Sequence, residues 1–223
     1  LHDQKIVTDP ANAVQGSRYL DVTYSSSQDG GWLTSWFMPG YDSLYVRAYV
    51  KLSSDFSGGT KFFGLFGSRT DDMWSAFGKA GICPNGTDYF TTSSVTEPTG
   101  GTSTLSPPVR IYTYYPGMRK DPDGTCWGRY GDGTEHYYSP TQISLGAWHK
   151  IEMWVRINTV GQSNGAQKMW IDGRLEGEWA GLTFRTSNIL KMNSLALSFS
   201  SINPAVEHLY MDDILVLANK PSP

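Results

Sequence analysis

The run Leu44-Tyr45-Val46-Arg47-Ala48-Tyr49-Val50-Lys51-Leu52 alternates along its whole length. Leu44, Val46, Ala48, Val50 and Leu52 fall on one side, and Tyr45, Arg47, Tyr49 and Lys51 on the other. Successive side chains of an extended chain leave opposite faces, so this is a β-strand with one face on a core and one that is polar, aromatic and cationic. The same period returns at Val109 to Tyr115, where Arg110, Tyr112 and Tyr114 share a face. It returns again at Trp148 to Asn158, which sets Ile151, Met153, Val155 and Ile157 against Glu152, Trp154, Arg156 and Asn158. A strand through Lys168-Met-Trp-Ile171 meets Asp172-Gly173, a strong hairpin signal, and comes back through Trp179. Segments Leu195 to Ser200 and Leu209 to Leu217 complete the pattern. No stretch keeps a helical period beyond two turns, and no internal repeat is visible. The expected fold is all-β, an antiparallel β-sandwich.

The rest of the composition agrees with this reading. The 223 residues include 24 Gly, 12 Pro, 8 Trp, 13 Tyr and 9 Phe, a mixture suited to short strands joined by tight turns. At 39% hydrophobic and 17% charged, the chain is globular rather than disordered. Residues 1–217 are read as one domain, and Ala218-Asn-Lys-Pro-Ser-Pro223 as the start of a Pro/Ser linker to further domains. A net charge of −3 gives no broad basic footprint for nucleic acid or an anionic membrane. No apolar run reaches the roughly 18 residues of a spanning helix, so a soluble monomer is expected, any signal segment having been removed. Cys83 and Cys126 lie in loop-like surroundings without a second pair to make a zinc site. They are read as one disulfide of a secreted protein, against the alternative of two free thiols in a cytosolic chain.

The outward faces carry the functional signal. A sandwich strand facing bulk water is usually rich in Thr, Ser, Lys and Glu. Three strands here carry Arg, Lys, Tyr and Trp together, which suits a curved sheet whose concave face is a ligand groove. The alternative is that long loops cover these rings, and the segments Asp71 to Pro108 and Pro116 to Gln142 are long enough either to cover the groove or to wall it.

With these strands placed, the sequence resembles the concanavalin A-like jelly-roll proteins of the polysaccharide lyase type, the group holding alginate and glucuronan lyases. The likeness rests on Tyr45-Val-Arg-Ala-Tyr-Val-Lys51, Lys61-Phe-Phe-Gly-Leu65, Arg110-Ile-Tyr-Thr-Tyr114, Gly146-Ala-Trp-His-Lys-Ile-Glu152 with Asn158, Trp170-Ile-Asp-Gly173 and Tyr210-Met-Asp-Asp-Ile214. The resemblance implies a cleft lysine at Lys61, the middle of that motif being altered here. It also implies an arginine and a tyrosine pair at Arg110, Tyr112 and Tyr114, with the arginine closer to the tyrosines than in the viral-type alginate lyases. A catalytic histidine, used by some related lyases, has no counterpart unless His136 swings in from its loop. Asp213, in the Asp212-Asp213 pair, resembles the place where several jelly rolls hold a structural Ca2+; no cofactor is required.

Three chemistries are weighed. A lyase acting on a uronate polymer must neutralise a carboxylate and remove the neighbouring proton. Lys61, Arg110, Arg47, Lys51 and Arg156 offer charge, and Tyr112 or Tyr114 offers a base whose phenolate is favoured by a nearby cation. A binding module needs only ring platforms and polar contacts, for which Tyr49, Trp154 and the loop residues Trp74 and Trp127 are candidates. A glycoside hydrolase needs two carboxylates across the scissile bond, and only Glu152 is a serious suspect. For each of these residues the structural alternative is a strand face that buries rings and keeps polar tips wet. The expectation is a secreted, carbohydrate-active domain whose partner is a polysaccharide. The lyase leads, the binding module is the alternative, and the hydrolase comes third.

Overall fold

A computed structural model describes residues 4–96, 109–128, 141–199 and 205–219. Its strands are β1 (Gln4–Thr8), β2 (Arg18–Ser25), β3 (Gln28–Asp29), β4 (Leu33–Tyr41), β5 (Ser43–Leu52), β6 (Thr60–Arg69) and β7 (Phe90–Thr96). They continue as β8 (Val109–Tyr114), β9 (His149–Arg156), β10 (Gly165–Ile171), β11 (Arg174–Leu182), β12 (Leu190–Phe199) and β13 (Glu207–Leu217). An eight-stranded sheet runs β1-β2-β13-β5-β9-β10-β11 with β3 alongside β2, and a five-stranded sheet runs β4-β12-β6-β7-β8. All pairings are antiparallel. The two sheets stack as a sandwich, as the alternation predicts.

The core lies between the sheets. Val46, Ala48, Val50 and Leu52 of β5 and Ile151, Met153 and Val155 of β9 are fully buried from one side, and Phe63 and Leu65 of β6 and Ile111 of β8 from the other. The Asp172-Gly173 turn forms as expected, with positive φ at both residues (51° and 84°), the backbone that lets a two-residue loop follow the strand twist. Beyond the end of β9, buried Asn158 donates from Nδ2 to the carbonyls of Thr159, Gln162 and Arg185 and accepts from the amides of Phe184 and Arg185. One side chain thereby joins two connecting segments.

Two expectations need correction. The segment Asp71 to Pro108, read as a long loop, contains β7, Phe90-Thr-Thr-Ser-Ser-Val-Thr96, whose residues are all buried. Thr92 and Thr96 among its side chains find partners instead of water. Thr92 and Thr113, their hydroxyl oxygens 2.9 Å apart across β7 and β8, both donate to Gln167 Oε1 of β10 at 3.0 and 3.1 Å. Period two was present, but small polar residues on both faces hid it. Secondly, β5, β8 and β9 do not share one groove. β8 belongs to the five-stranded sheet, whereas β5 and β9 are neighbours in the eight-stranded one. Their outward faces therefore look out from opposite sides of the sandwich.

Candidate functional site

The five-stranded sheet arranges its outward side chains by register. Lys61 of β6 lies opposite Val95 of β7, which lies opposite Arg110 of β8. The next outward row is Gly64, Ser93 and Tyr112, and the next Phe66, Thr91 and Tyr114. Two cations thus stand on one rung, either side of a valine, with a tyrosine pair directly along β8. Lys61 Nζ is 5.6 Å and the Arg110 guanidinium carbon 5.1 Å from the centre of the Tyr112 ring, within cation–π range. The hydroxyls of Tyr112 and Tyr114 are 3.2 Å apart.

The two tyrosines are not equivalent. Tyr114 is 6% exposed. Burial first, and then the neighbouring Tyr112 phenol and its hydrogen bond, hold the Tyr114 proton well above the usual phenol range. Tyr114 remains a hydroxyl donor at any physiological pH. Tyr112 is only partly buried and faces a pocket of about 260 Å³, which is also lined by Lys61, Trp32, Lys79, Tyr89 and Trp127. No Asp or Glu is among its described lining residues. Gly128 fits against the Tyr112 ring so closely that a Cβ there would overlap it.

Two connections wall this face. The segment between β6 and β7 contributes Ala76, Gly78, Lys79, Ala80 and Tyr89, and the segment after β8 contributes Trp127. The Cys83–Cys126 disulfide, its partners 43 positions apart, joins the two walls, and beside it the Cys126 amide donates to the Gly81 carbonyl at 3.0 Å. Tyr89 donates its hydroxyl to the Ile82 carbonyl within the same wall. Free cysteines are absent.

Lys61, Arg110, Tyr112, Tyr114 and Trp127 come together here. The remaining candidates do not. Arg47, Tyr49, Lys51, Glu152, Trp154 and Arg156 belong to β5 and β9 of the other sheet. Arg47 pairs with Asp213 at 2.6 Å, so a guanidinium already sits on the carboxylate read as a calcium ligand, while Asp212 accepts from the amides of Val14 and Gln15. Groups of three or more potential metal-ligating side chains are absent among the described residues. Lys51 lies over the rings of Tyr19, Trp148 and Tyr210 at 5.6, 4.8 and 4.9 Å. Glu152 accepts from the Tyr45 hydroxyl at 2.6 Å and pairs with Lys150 at 3.2 Å, rather than with Arg47 or Arg156. Trp154 lies near both Arg156 and Lys168. Trp74 is on the five-stranded side, in a ring cluster next to the pocket, packing on Trp36 at 5.1 Å. His136 lies outside the described residues. The floor residues Thr91 and Ser93 and the wall residues Lys79 and Tyr89 escaped the sequence reading; once β7 is recognised as a strand, its pairing with β8 places Thr91 and Ser93.

A model of the polysaccharide lyase 14 family matches residues 106–200, the stretch from the start of β8 through β12. Solved structures extend the likeness over nearly the whole chain. The fold is that of the jelly-roll polysaccharide lyases. An alginate lyase of this class from Aplysia kurodai superposes with a TM-score of 0.68 at 19% identity, covering 95% of this chain and 86% of its own. An alginate lyase from Chlorella virus gives 0.66 at 14% identity, with 96% and 89% covered. An endo-β-1,4-glucuronan lyase from Trichoderma reesei gives 0.60 at 14% identity, with 96% and 87% covered. Among curated proteins no sequence matches. At these identities the likeness speaks for the jelly-roll lyase fold, and the chemistry rests on the residues of the groove.

Proposed function

We propose that this protein is a secreted polysaccharide lyase that cleaves a uronate-bearing polymer by β-elimination in the groove over the five-stranded sheet. The observation that carries this is the placement of Lys61 and Arg110 on one rung beside Tyr112, whose hydroxyl is 3.2 Å from that of Tyr114. Lys61 and Arg110 neutralise the uronate carboxylate, which makes the hydrogen on the adjacent carbon removable. Tyr112 takes that proton, and Tyr114, held protonated by burial, donates a hydrogen bond to the Tyr112 oxygen. The electron pair of the broken C–H bond becomes a carbon–carbon double bond, and the bond to the glycosidic oxygen breaks. The leaving oxygen takes a proton from Tyr112 or from water. Positive charge comes from side chains, so calcium at Asp213 has no part in this reading.

The family model and the lyase neighbours support the same class, and alginate and glucuronan, named for those neighbours, lead as substrates to try. A disulfide between surface walls suits an oxidising compartment and supports secretion. The absence of a carboxylate among the described lining residues disfavours hydrolysis, which needs two. A non-catalytic carbohydrate-binding module is the second reading. It is favoured by Trp32 and Trp127, 42% and 43% exposed on the same pocket.

The test is to incubate the purified protein with alginate, glucuronan, pectate, xanthan and hyaluronan and to follow the ultraviolet absorbance of the unsaturated product. A rise on one polymer that is lost in Lys61→Ala and Arg110→Ala establishes the lyase. A flat trace from folded protein across the panel sinks it and leaves the binding module.

A further inference from the structure

Beyond Tyr114 and Phe66 the groove changes character. Phe66 stacks on Phe77 at 5.1 Å, Phe77 meets Trp32 and Trp36 at 5.2 Å each, and Trp74 meets Trp36 at 5.1 Å and Phe77 at 5.6 Å. Phe66 and Trp32 also line the pocket that holds Lys61 and Tyr112, so the ring cluster is continuous with the candidate active site. Rings gathered only for packing would be covered, yet Trp74 is 61% exposed at the outer edge of the cluster. A contiguous open apolar surface marks a contact site.

The charges near this end are committed elsewhere. Arg69 holds Asp71 through two hydrogen bonds of 2.8 and 2.7 Å, and Asp72 accepts from the Trp74 amide at 3.0 Å. The described groove cations that stand over rings stand over Tyr112 and Tyr89, and among the described residues no lysine or arginine stands over Trp36, Trp74 or Phe77. A sugar carrying a carboxylate would lose water there without a cation in return. An uncharged pyranose, presenting its C–H face to the rings, would lose nothing of the kind.

We propose that Trp36, Trp74 and Phe77 form a subsite for an uncharged sugar, and that the substrate is a mixed polymer in which a uronate, held at Lys61 and Arg110, has neutral units along the same chain. The uronate half of this statement rests on the lyase reading; the neutral subsite stands on the ring geometry alone.

The test titrates the whole protein with cellohexaose, mannohexaose and xylohexaose, following tryptophan fluorescence and confirming by calorimetry. Saturable binding of at least one of them is expected, weakened about tenfold in Trp74→Ala, the loss of one ring's stacking. Trp74→Phe should recover part of that loss. An unchanged melting temperature for Trp74→Ala separates lost contact from lost fold. If none of the three binds at millimolar concentration, or Trp74→Ala binds as well as the parent, the subsite is refuted. The two proposals can fail separately: neutral binding without any elimination product removes the lyase, whereas elimination on a homopolyuronate with neither neutral binding nor a Trp74 effect removes the subsite.

Discussion

The two open faces of the sandwich are written in the same alphabet of Arg, Lys, Tyr and Trp, and they do different things. On the eight-stranded sheet four of the described cations meet acids, Lys5 with Asp21, Arg47 with Asp213, Lys150 with Glu152 and Lys168 with Glu178, while Lys51 lies over three rings. On the five-stranded sheet Lys61 and Arg110 both lie over one tyrosine ring, at the floor of a pocket walled by two connections. The composition of a strand face does not make a site. Register puts the two cations on one rung, and the walls set them back from bulk water.

The contrast is open to direct attack. The largest difference is expected in turnover: Lys61→Ala or Tyr112→Phe should lower kcat by about 10²–10⁴-fold, the usual worth of an acid–base or charge-neutralising group. Arg47→Ala and Trp154→Ala, on the opposite sheet, should leave it within about twofold, as surface changes away from a site do. Equal losses from both faces would abolish the distinction. Next in size is reduction of Cys83–Cys126, which releases a 43-residue separation and is expected to cost up to roughly 4 kcal/mol in chemical unfolding, with activity falling as the walls part. Tyr45→Phe should act on stability alone, by about 1–3 kcal/mol, because it strips a donor from the 5% exposed Glu152. A matching fall in turnover would bring the eight-stranded face back into the mechanism.

The smallest effect is an alkaline one. Burial raises the hydroxyl pKa of Tyr45, Tyr89 and Tyr114, so the folded state keeps protons that the unfolded chain loses. The stability this contributes is complete below the unfolded value of about 10 and is lost progressively as pH rises above it. Denaturant midpoints measured from neutral pH to beyond that value should therefore decline only in the alkaline range, and Tyr114→Phe should flatten part of the slope.

How much of this was legible follows from what period two can and cannot say. It gives the side of a strand on which a residue lies, so Arg47 with Tyr49, and Arg110 with Tyr112, are paired correctly. It does not say which sheet the strand joins, so β5, β8 and β9 were merged into one face that the topology divides. The positive-φ turn at Asp172-Gly173 was readable because few residues tolerate that backbone. β7 was not, because Thr92 and Thr113 replace apolar contact with hydrogen bonds to Gln167, and a buried polar network leaves no hydrophobic alternation to find. Lys61, Arg110, Tyr112 and Tyr114 were named through family likeness, and their convergence became visible only with the register. The ring cluster needed more still, since Trp36 and Trp74 come from a strand and a loop far apart in the chain.

The order β4-β12-β6-β7-β8 also makes the sheet a ruler. Four steps separate the strand of Tyr112 from that of Trp36, about 19 Å at the usual spacing between strands. An oligosaccharide too short for that distance touches one end or the other, never both. Turnover plotted against oligomer length should then climb in a step rather than a slope, with the step falling where the chain first reaches from the tyrosines to the tryptophans.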